Sequence, residues 1–286
     1  MIIFSLLSRL PFPILYTIAY ILYVLAYYFV GYRKKVVFEN LHKSFPDKNE
    51  EEIVKIAKQF YRNLADISVE ILKAKTIDAA ELSKRVHPVN MDKVEGWLKN
   101  GTSFIAMVPH LCNWEWIGLA CSLHLPEETD VIYQRLAYKS FDDYIYNLRS
   151  RFGAVPIEKK MVFRELVKTR STVKAIGSVS DQTPSRGENR YWTTFLNQDT
   201  VFFHGTEKIA KKLNYAICIV HMKRIKRGYY QMEFLPIDTP PLIEKENHYT
   251  QIFATWLEKT IRENPSDWLW THNRWKIKRN THDGLS

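Results

Sequence analysis

The stretch that decides the reading is "SFIAMVPHLCNWEWIGLAC", residues 103–121. Residues 103–108 carry no charge and have the length of a buried strand. Pro109 favours an extended residue before it, so the strand ends there. From Trp114 the pattern turns helical, and Asn113 is a residue type that caps helices. Strand, turn and helix in succession form the building unit of an α/β fold. The turn holds His110, with Glu115 five positions on. In one continuous helix the two would diverge by about 140°. With His110 in the turn and Glu115 in the first helical turn, the carboxylate can accept from one imidazole nitrogen. That contact fixes the tautomer and leaves the second nitrogen to take a proton from a hydroxyl as it attacks a carbonyl. Amides at the helix start suit an oxyanion. The pair is the candidate catalytic dyad, although H-x4-E by spacing alone is a weak signal.

Outward from this stretch the alternation continues. Apolar runs at 130–134, 173–180, 216–223 and 229–236 read as further strands. Helical patterns fall near 114–122, 139–151, 160–170, 204–213 and 248–263. A longer helix over 47–75 starts in a cluster of glutamates and carries Phe60, Leu64, Ile67 and Ile71 on one face. Strands and helices in alternation predict a layered αβα fold with a partly parallel sheet. No Pro- or Gly-rich linker divides the chain after residue 35, so residues 36–286 are expected to form one catalytic domain.

Residues 1–35 read as a membrane anchor. Leu10 to Tyr32, "LPFPILYTIAYILYVLAYYFVGY", has no charged residue and is long enough to cross a bilayer as a helix. Pro11 and Pro13 suit its first turn, and its tyrosines suit the interface. Arg33, Lys34 and Lys35 follow directly, which keeps the remaining chain cytoplasmic by the positive-inside rule. An interfacial helix docked on the soluble domain is the alternative.

The chain of 286 residues carries a formal net charge of +10 and an apolar fraction of 46%. That composition excludes a disordered chain and a multi-span membrane protein. The charge points to anionic partners: lipid head groups, phosphorylated substrates, an acidic carrier or nucleic acid. Cys112, Cys121 and Cys218 show no CxxC pairing, and we read them as small core residues rather than a disulfide or zinc framework.

Four motifs in order, "PHLCNWEW" (109–116), "VSDQTPSRG" (179–187), "FFHGTEKIAKKL" (202–213) and "DWLWTHNRWK" (267–276), resemble the lipid A biosynthesis acyltransferase family, the lauroyl and myristoyl transferases of Gram-negative inner membranes. The resemblance runs over nearly the whole chain. It implies catalysis by His110 and Glu115, with Asn113, Trp114, Asp181, Gln182 and Gly205 in the substrate site beside Phe202 and Phe203. It also implies acceptor contacts from the basic tail, His272, Arg274 and Lys276, with Arg135 as a further candidate; Arg186, in the loop after Asp181, suits a phosphate contact and an ordinary exposed loop position equally well. The family takes acyl chains from acyl carrier protein and places them on hydroxyls of a phosphorylated glucosamine disaccharide. The implied donor is thus acyl carrier protein, the acceptor a membrane glycolipid, and no cofactor or metal is required. The sequence departs from the family's usual Tyr-Arg-Pro segment: "YQRLAY" (133–138) has Gln134 there, with Arg135 one position later, and Asn273 replaces a second arginine in the tail. A relative acting on another membrane lipid is the alternative.

Several plainer readings stand beside these. Asp181 suits a turn cap, His204 and His221 suit core or surface positions, and Glu70 is structural or acceptor-proximal. The tail reads equally as a strand whose tryptophans pack inward while Arg and Lys reach outward. Two other classes compete. Basic residues interleaved with aromatics over 268–279 would suit single-stranded nucleic acid, but no nucleic-acid module accompanies them and an anchor fits it poorly. A metal hydrolase would need a third ligand that no spacing supplies.

Overall fold

The computed structural model describes residues 2–185, 188 and 190–279. The chain opens with α1 (Ile2–Leu7) and α2 (Phe12–Val24), the latter capped by Pro11. A π-helical turn, Leu25–Val30, prolongs α2 until Gly31, whose φ of 64° ends it. Together Phe12–Val30 form 19 residues of mean hydropathy 1.7, long and apolar enough to cross a membrane and for the most part not buried in the protein. One face, with Leu15, Ala19 and Tyr23, packs into the protein core, while Ile14, Tyr20, Ile21 and Leu22 are exposed.

After α3 (Lys34–Ser44) comes the long α4 (Glu50–Lys73). Its start is a reciprocal capping box: the Asn49 side chain accepts from the Glu52 amide, and the Glu52 carboxylate accepts from the Asn49 amide, both at 3.0 Å. Ile53, Ala57, Phe60 and Val69 bury α4's apolar stripe, each large side chain contributing roughly 1.5–3 kcal/mol.

The α/β body then runs α5 (Ala79–Arg85), β1 (Val86–Val89), α6 (Asp92–Lys99), β2 (Phe104–Val108), α7 (Trp114–His124), β3 (Glu128–Tyr133), α8 (Lys139–Arg149), β4 (Val155–Glu158), α9 (Val162–Lys168) and β5 (Lys174–Val179). It closes with the hairpin β6 (Arg190–Phe195) and β7 (Gln198–Phe203), α10 (Gly205–Leu213), β8 (Ala216–Lys226), β9 (Tyr229–Asp238) and α11 (His248–Glu263). Among the described residues seven strands form one sheet in the order β1-β9-β8-β2-β5-β3-β4, and β6 pairs only with β7. Every neighbour in the large sheet is parallel except β8 with β9. Side chains alternate across it: Phe104, Ala106 and Val108 face the core under α7, and Ile105 and Met107 face the core with α4 and α11. The expected αβα layering, partly parallel sheet and N-terminal apolar helix are all present.

Two differences have physical reasons. The sheet's edge strands β1 and β4 were not expected, because each is four residues long and contains a proline, Pro88 and Pro156. Proline is tolerated at an edge, where one side of the backbone needs no partner, yet it removes the sequence signature of a strand. Residues 268–279 form no strand either; the one ladder contact is an isolated bridge from Leu111 to Trp268. The tail instead winds through the interior, burying Trp268, Trp270, Trp275 and, contrary to an outward-reaching reading, Arg274.

Candidate active site

The central strands β2 and β5 are parallel neighbours, with Val108 paired to Val179 and the ladder prolonged by Ser180 N–H donating to Val108 O at 3.0 Å. Two residues beyond each strand end stand His110 and Asp181. They therefore share one rim, at the carboxyl edge of the sheet where α/β folds place their ligands. The backbone between β2 and α7 turns through Cys112 at φ 50°, an unusual conformation for a side-chain-bearing residue, held by Cys112 N–H donating to Asp267 O at 2.9 Å. Asn113 then caps α7, its oxygen accepting from Trp116 N–H at 3.3 Å.

Asp181, 2% exposed, receives the histidine twice: His110 N–H donates to Oδ2 at 2.9 Å, and His110 Nδ1 lies 2.6 Å from Oδ1. The Trp268 indole donates to Oδ2 at 2.8 Å. Burial alone would raise the Asp181 carboxyl, but the His110 ring and these donors hold it down at about 2. An ionised Asp181 places the proton on Nδ1 and leaves Nε2 as an acceptor. Among the described residues an exposed side-chain amide meets that nitrogen: Gln182 Nε2 lies 3.1 Å from it. The Trp114 ring stands edge-on to the imidazole, with centroids 5.0 Å apart.

Glu115 takes a different partner from the one expected. The His110–Glu115 hydrogen bond is replaced by His110–Asp181, because the strand order brings residue 181 beside the turn while Glu115 faces α8. There Arg149 grips it with two parallel bonds, Nε to Oε2 at 2.9 Å and Nη2 to Oε1 at 2.6 Å. Burial would raise Glu115, but the Arg149 charge and hydrogen bonds, with a smaller contribution from His110, hold its carboxyl below the usual range. Glu115 thus stays charged within electrostatic reach of the imidazole.

The tail clamps the loop that carries Asp181. Thr183 N–H donates to His272 Nε2 at 3.2 Å, and Thr183 Oγ1 donates to the Arg274 carbonyl at 2.7 Å. An accepting Nε2 requires a neutral ring, and burial, aided by the Arg274 charge, pushes His272 down to about 4. Arg274 is 1% exposed, with its guanidinium 4.6 Å from the Phe202 ring centroid and none of its three nitrogens hydrogen-bonded among the described residues. Burial pushes it down to about 10, opposed by Asp181.

The remaining sequence candidates divide. Trp114 and Gln182 stand at His110, whereas Asn113, expected in the substrate site, is fully buried and spends its side chain on Glu70 and the Trp116 amide. Gly205 opens α10 with the Phe203 ring folded against it; a Cβ there would sit 2.1 Å from that ring, so the glycine serves packing. Arg135 is exposed on the β3–α8 loop and pairs with Glu158 at 3.2 Å. Lys276 is exposed, and Arg186 lies outside the described residues. Sequence reasoning missed Arg149 and the indole of Trp268 as partners in the site; neither has a spacing relation to residue 110. The three cysteines are buried free thiols, and burial pushes the Cys112 thiol far up, which disqualifies it as a nucleophile. Among the described residues no three His, Cys, Asp or Glu side chains converge as a metal site.

An apolar slot of about 50 Å³ lies between α7 and the sheet, lined by Val108, Trp114, Ile117, Gly118, Val131 and Val179, and Trp114 is the ring that stands against His110.

Compared with solved structures, the chain is similar to the crystal structure of the 1-acyl-sn-glycerophosphate acyltransferase PlsC from Thermotoga maritima, at 13% identity and a TM-score of 0.39, over 88% of this chain and 97% of that one. No curated protein sequence matches it significantly. The sequence profile of the bacterial lipid A biosynthesis acyltransferases matches residues 1–277, so that with its ordered motifs the chain belongs to that acyltransferase family.

Proposed function

We propose that the protein transfers a fatty acyl chain from acyl carrier protein to a hydroxyl of a lipid A precursor, at the cytoplasmic face of the inner membrane. The observation that carries this reading is His110, held through Nδ1 by a buried carboxylate at 2.6 Å with Nε2 left to accept. The acceptor hydroxyl displaces the Gln182 amide and gives its proton to Nε2 as its oxygen attacks the thioester carbonyl. The new C–O bond forms a tetrahedral oxyanion. Its collapse breaks the C–S bond, and the imidazolium returns the proton to the departing thiolate. Asp181 orients the ring and stabilises the imidazolium, a role that general acid–base catalysis rewards by roughly 10²–10⁴-fold. Glu115 adds a second negative charge beside the imidazolium, and Arg149 keeps that carboxylate ionised. The direct route is the economical one, because the neighbouring thiol is not activated.

The apolar slot suits the acyl chain. At about 50 Å³ it is far below the roughly 300–1,000 Å³ of ligand pockets, so α7 or the Trp114 side chain must shift to admit a chain. The +10 charge favours both an acidic carrier protein and a phosphorylated glycolipid acceptor, and the reaction calls for no cofactor and no nucleic acid. Arg33–Lys35 after the apolar helix support a cytoplasmic catalytic domain, residues 36–286, behind an anchor at 1–35. The test is mass spectrometry of lipid A from cells lacking the gene, complemented with wild type or His110→Ala. Loss of one secondary acyl chain, restored by wild type alone, supports the proposal. An unchanged lipid A with a change elsewhere in the lipid extract would favour a different membrane lipid as acceptor.

A further inference from the structure

One side chain outside the chemistry ties the start of the helix after the histidine turn to two other elements, α2 and β9. Glu70 of α4 is fully buried, at 0% exposure, and its two carboxylate oxygens receive three donors. Asn113 Nδ2 donates to Oε2 at 2.9 Å, Tyr230 Oη donates to Oε2 at 2.7 Å, and Tyr16 Oη donates to Oε1 at 3.0 Å. The Glu70 carbonyl also accepts from the Trp116 indole at 3.2 Å. Asn113 and Trp116 both belong to the start of α7, so a single residue of α4 fixes the cap of the helix that follows His110.

The third donor comes from elsewhere. Tyr16 lies in the first turns of α2, the apolar N-terminal helix. Its hydroxyl is seated on the β8–β9 turn so closely that a Cβ at Gly228 would stand 1.8 Å from it. Arg227 of the same turn donates to Tyr16 O at 3.1 Å and forks onto Asp66 of α4. Beyond Tyr230 the chain of contacts runs on: Arg224 donates to Tyr230 Oη at 3.1 Å and to Asp267 Oδ1 at 3.2 Å, and Asp267 O holds Cys112 N–H. The turn 109–113 is thus gripped at Cys112 and at Asn113 by one buried polar network whose outer end is the N-terminal helix. In a buried network of this kind the bonds depend on one another, so the loss of one is felt by the rest.

We infer that Glu70 is a positioning residue, through which the seating of Tyr16, and with it the apolar N-terminal helix, sets the geometry of the His110 turn. The helix then does more than tether the domain: undocking it slackens the cap of α7 and the alignment of His110 on Asp181. This rests on His110 being the base.

The test compares full-length wild type, Tyr16→Phe, Glu70→Gln and the double variant in detergent micelles. Tyr16→Phe removes one hydroxyl at constant volume and keeps the helix. Two readouts are taken: transfer kinetics from lauroyl–acyl carrier protein to a phosphorylated hydroxyacyl-glucosamine disaccharide, and amide hydrogen exchange of the peptide covering 109–116. The expected result is a kcat lower by about 3–10-fold in Tyr16→Phe and 10–100-fold in Glu70→Gln, with KM for the acceptor unchanged. Exchange over 109–116 accelerates at least 10-fold in both variants while the β2–β5 ladder keeps its protection. The double variant is no worse than Glu70→Gln, because both act on one link. Unchanged kcat and unchanged exchange at 109–116 in Tyr16→Phe would overturn the inference, as would additive effects or uniform acceleration over the whole chain. Should Glu70→Gln not fold, Tyr16→Phe decides alone. Retained activity in His110→Ala would defeat the catalytic reading, whereas the exchange readout would still judge the link from Tyr16 to the turn.

Discussion

Replacing Asp181 by Asn leaves the shape of the site and removes its charge. In the wild type Asp181 accepts from His110 N–H, His110 Nδ1 and Trp268 Nε1 at 2.9, 2.6 and 2.8 Å. Its carboxyl lies at about 2 against the usual 3.8, a difference worth roughly 2–3 kcal/mol of folding stability. Because the folded value is the lower one, that contribution is complete above about pH 4 and is lost as the pH falls towards 2. At neutral pH Asp181→Asn removes it. The amide keeps one acceptor oxygen for three donors and turns an N–H towards one of them, which adds roughly 1–3 kcal/mol. Unfolding should therefore be easier by roughly 3–6 kcal/mol. The chemical consequence is larger. An Asn side chain that donates to Nδ1 drives the proton to Nε2, where the base must accept, and the wrong tautomer is expected to lower kcat by about 10³–10⁴-fold. The assay is single-turnover acyl transfer at pH 7.5, corrected for the folded fraction from tryptophan fluorescence. A corrected rate within threefold of wild type would refute the role given to Asp181. If Glu115→Gln were inactive in the same assay, orientation of His110 would pass to Glu115.

His272, pushed from 6.5 to about 4, stays neutral in the folded protein while its unfolded counterpart protonates, so roughly 3 kcal/mol of stability fades as pH falls from 6.5 to 4. His272→Gln should flatten the pH dependence of thermal unfolding in that window, and an unaltered slope would contradict the assignment. Gly118→Val narrows the apolar slot, since even a Cβ there sits 3.2 Å from Val131 Cγ2; kcat/KM for the longest acyl donors should fall about 10–200-fold relative to shorter ones, and a uniform fall across chain lengths would argue against the slot. Arg149→Met strands the Glu115 carboxylate and should destabilise the fold by roughly 3–5 kcal/mol, with Arg149→Lys recovering part of it because a lysine restores charge but not the two-pronged grip; equal melting of all three proteins would contradict this. Incubation with a strong chelator should leave the transfer rate unchanged, and a loss restored by added zinc would reopen a metal mechanism.

The legible parts of the molecule are those whose signal lies within a few consecutive residues. Strand β2, the break at Pro109, the cap at Asn113 and helix α7 follow from one uninterrupted stretch, and His110 with them. The edge strands were hidden by Pro88 and Pro156. Asp181 could be singled out by its motif but not paired with His110, since the two meet only because β2 and β5 are neighbours, and nothing in a single sequence states strand order. Glu115 shows the same limit from the other side. Its spacing from His110 allowed a contact, and Arg149, 34 residues away, took it instead. Arg274 was expected among the acceptor contacts through the family resemblance; its burial against Phe202, in a tail that also buries three tryptophans, follows no periodicity.

The tail has a bearing on when the enzyme comes into being. Arg33 and Asn40 donate to the carbonyls of residues 270–272, Asn63 to Ser266 O and Asp267, Cys112 N–H to Asp267 O, and Trp268 to Asp181. Residues 266–275 leave the ribosome after everything they fasten. A nascent chain can have its N-terminal helix formed and its sheet largely paired while the histidine turn still waits for its last ties. Contacts of such long sequence separation form slowly. Catalytic competence is thereby deferred until residues 266–275 have been made, and a product terminated before them would lack the ties that hold the histidine turn.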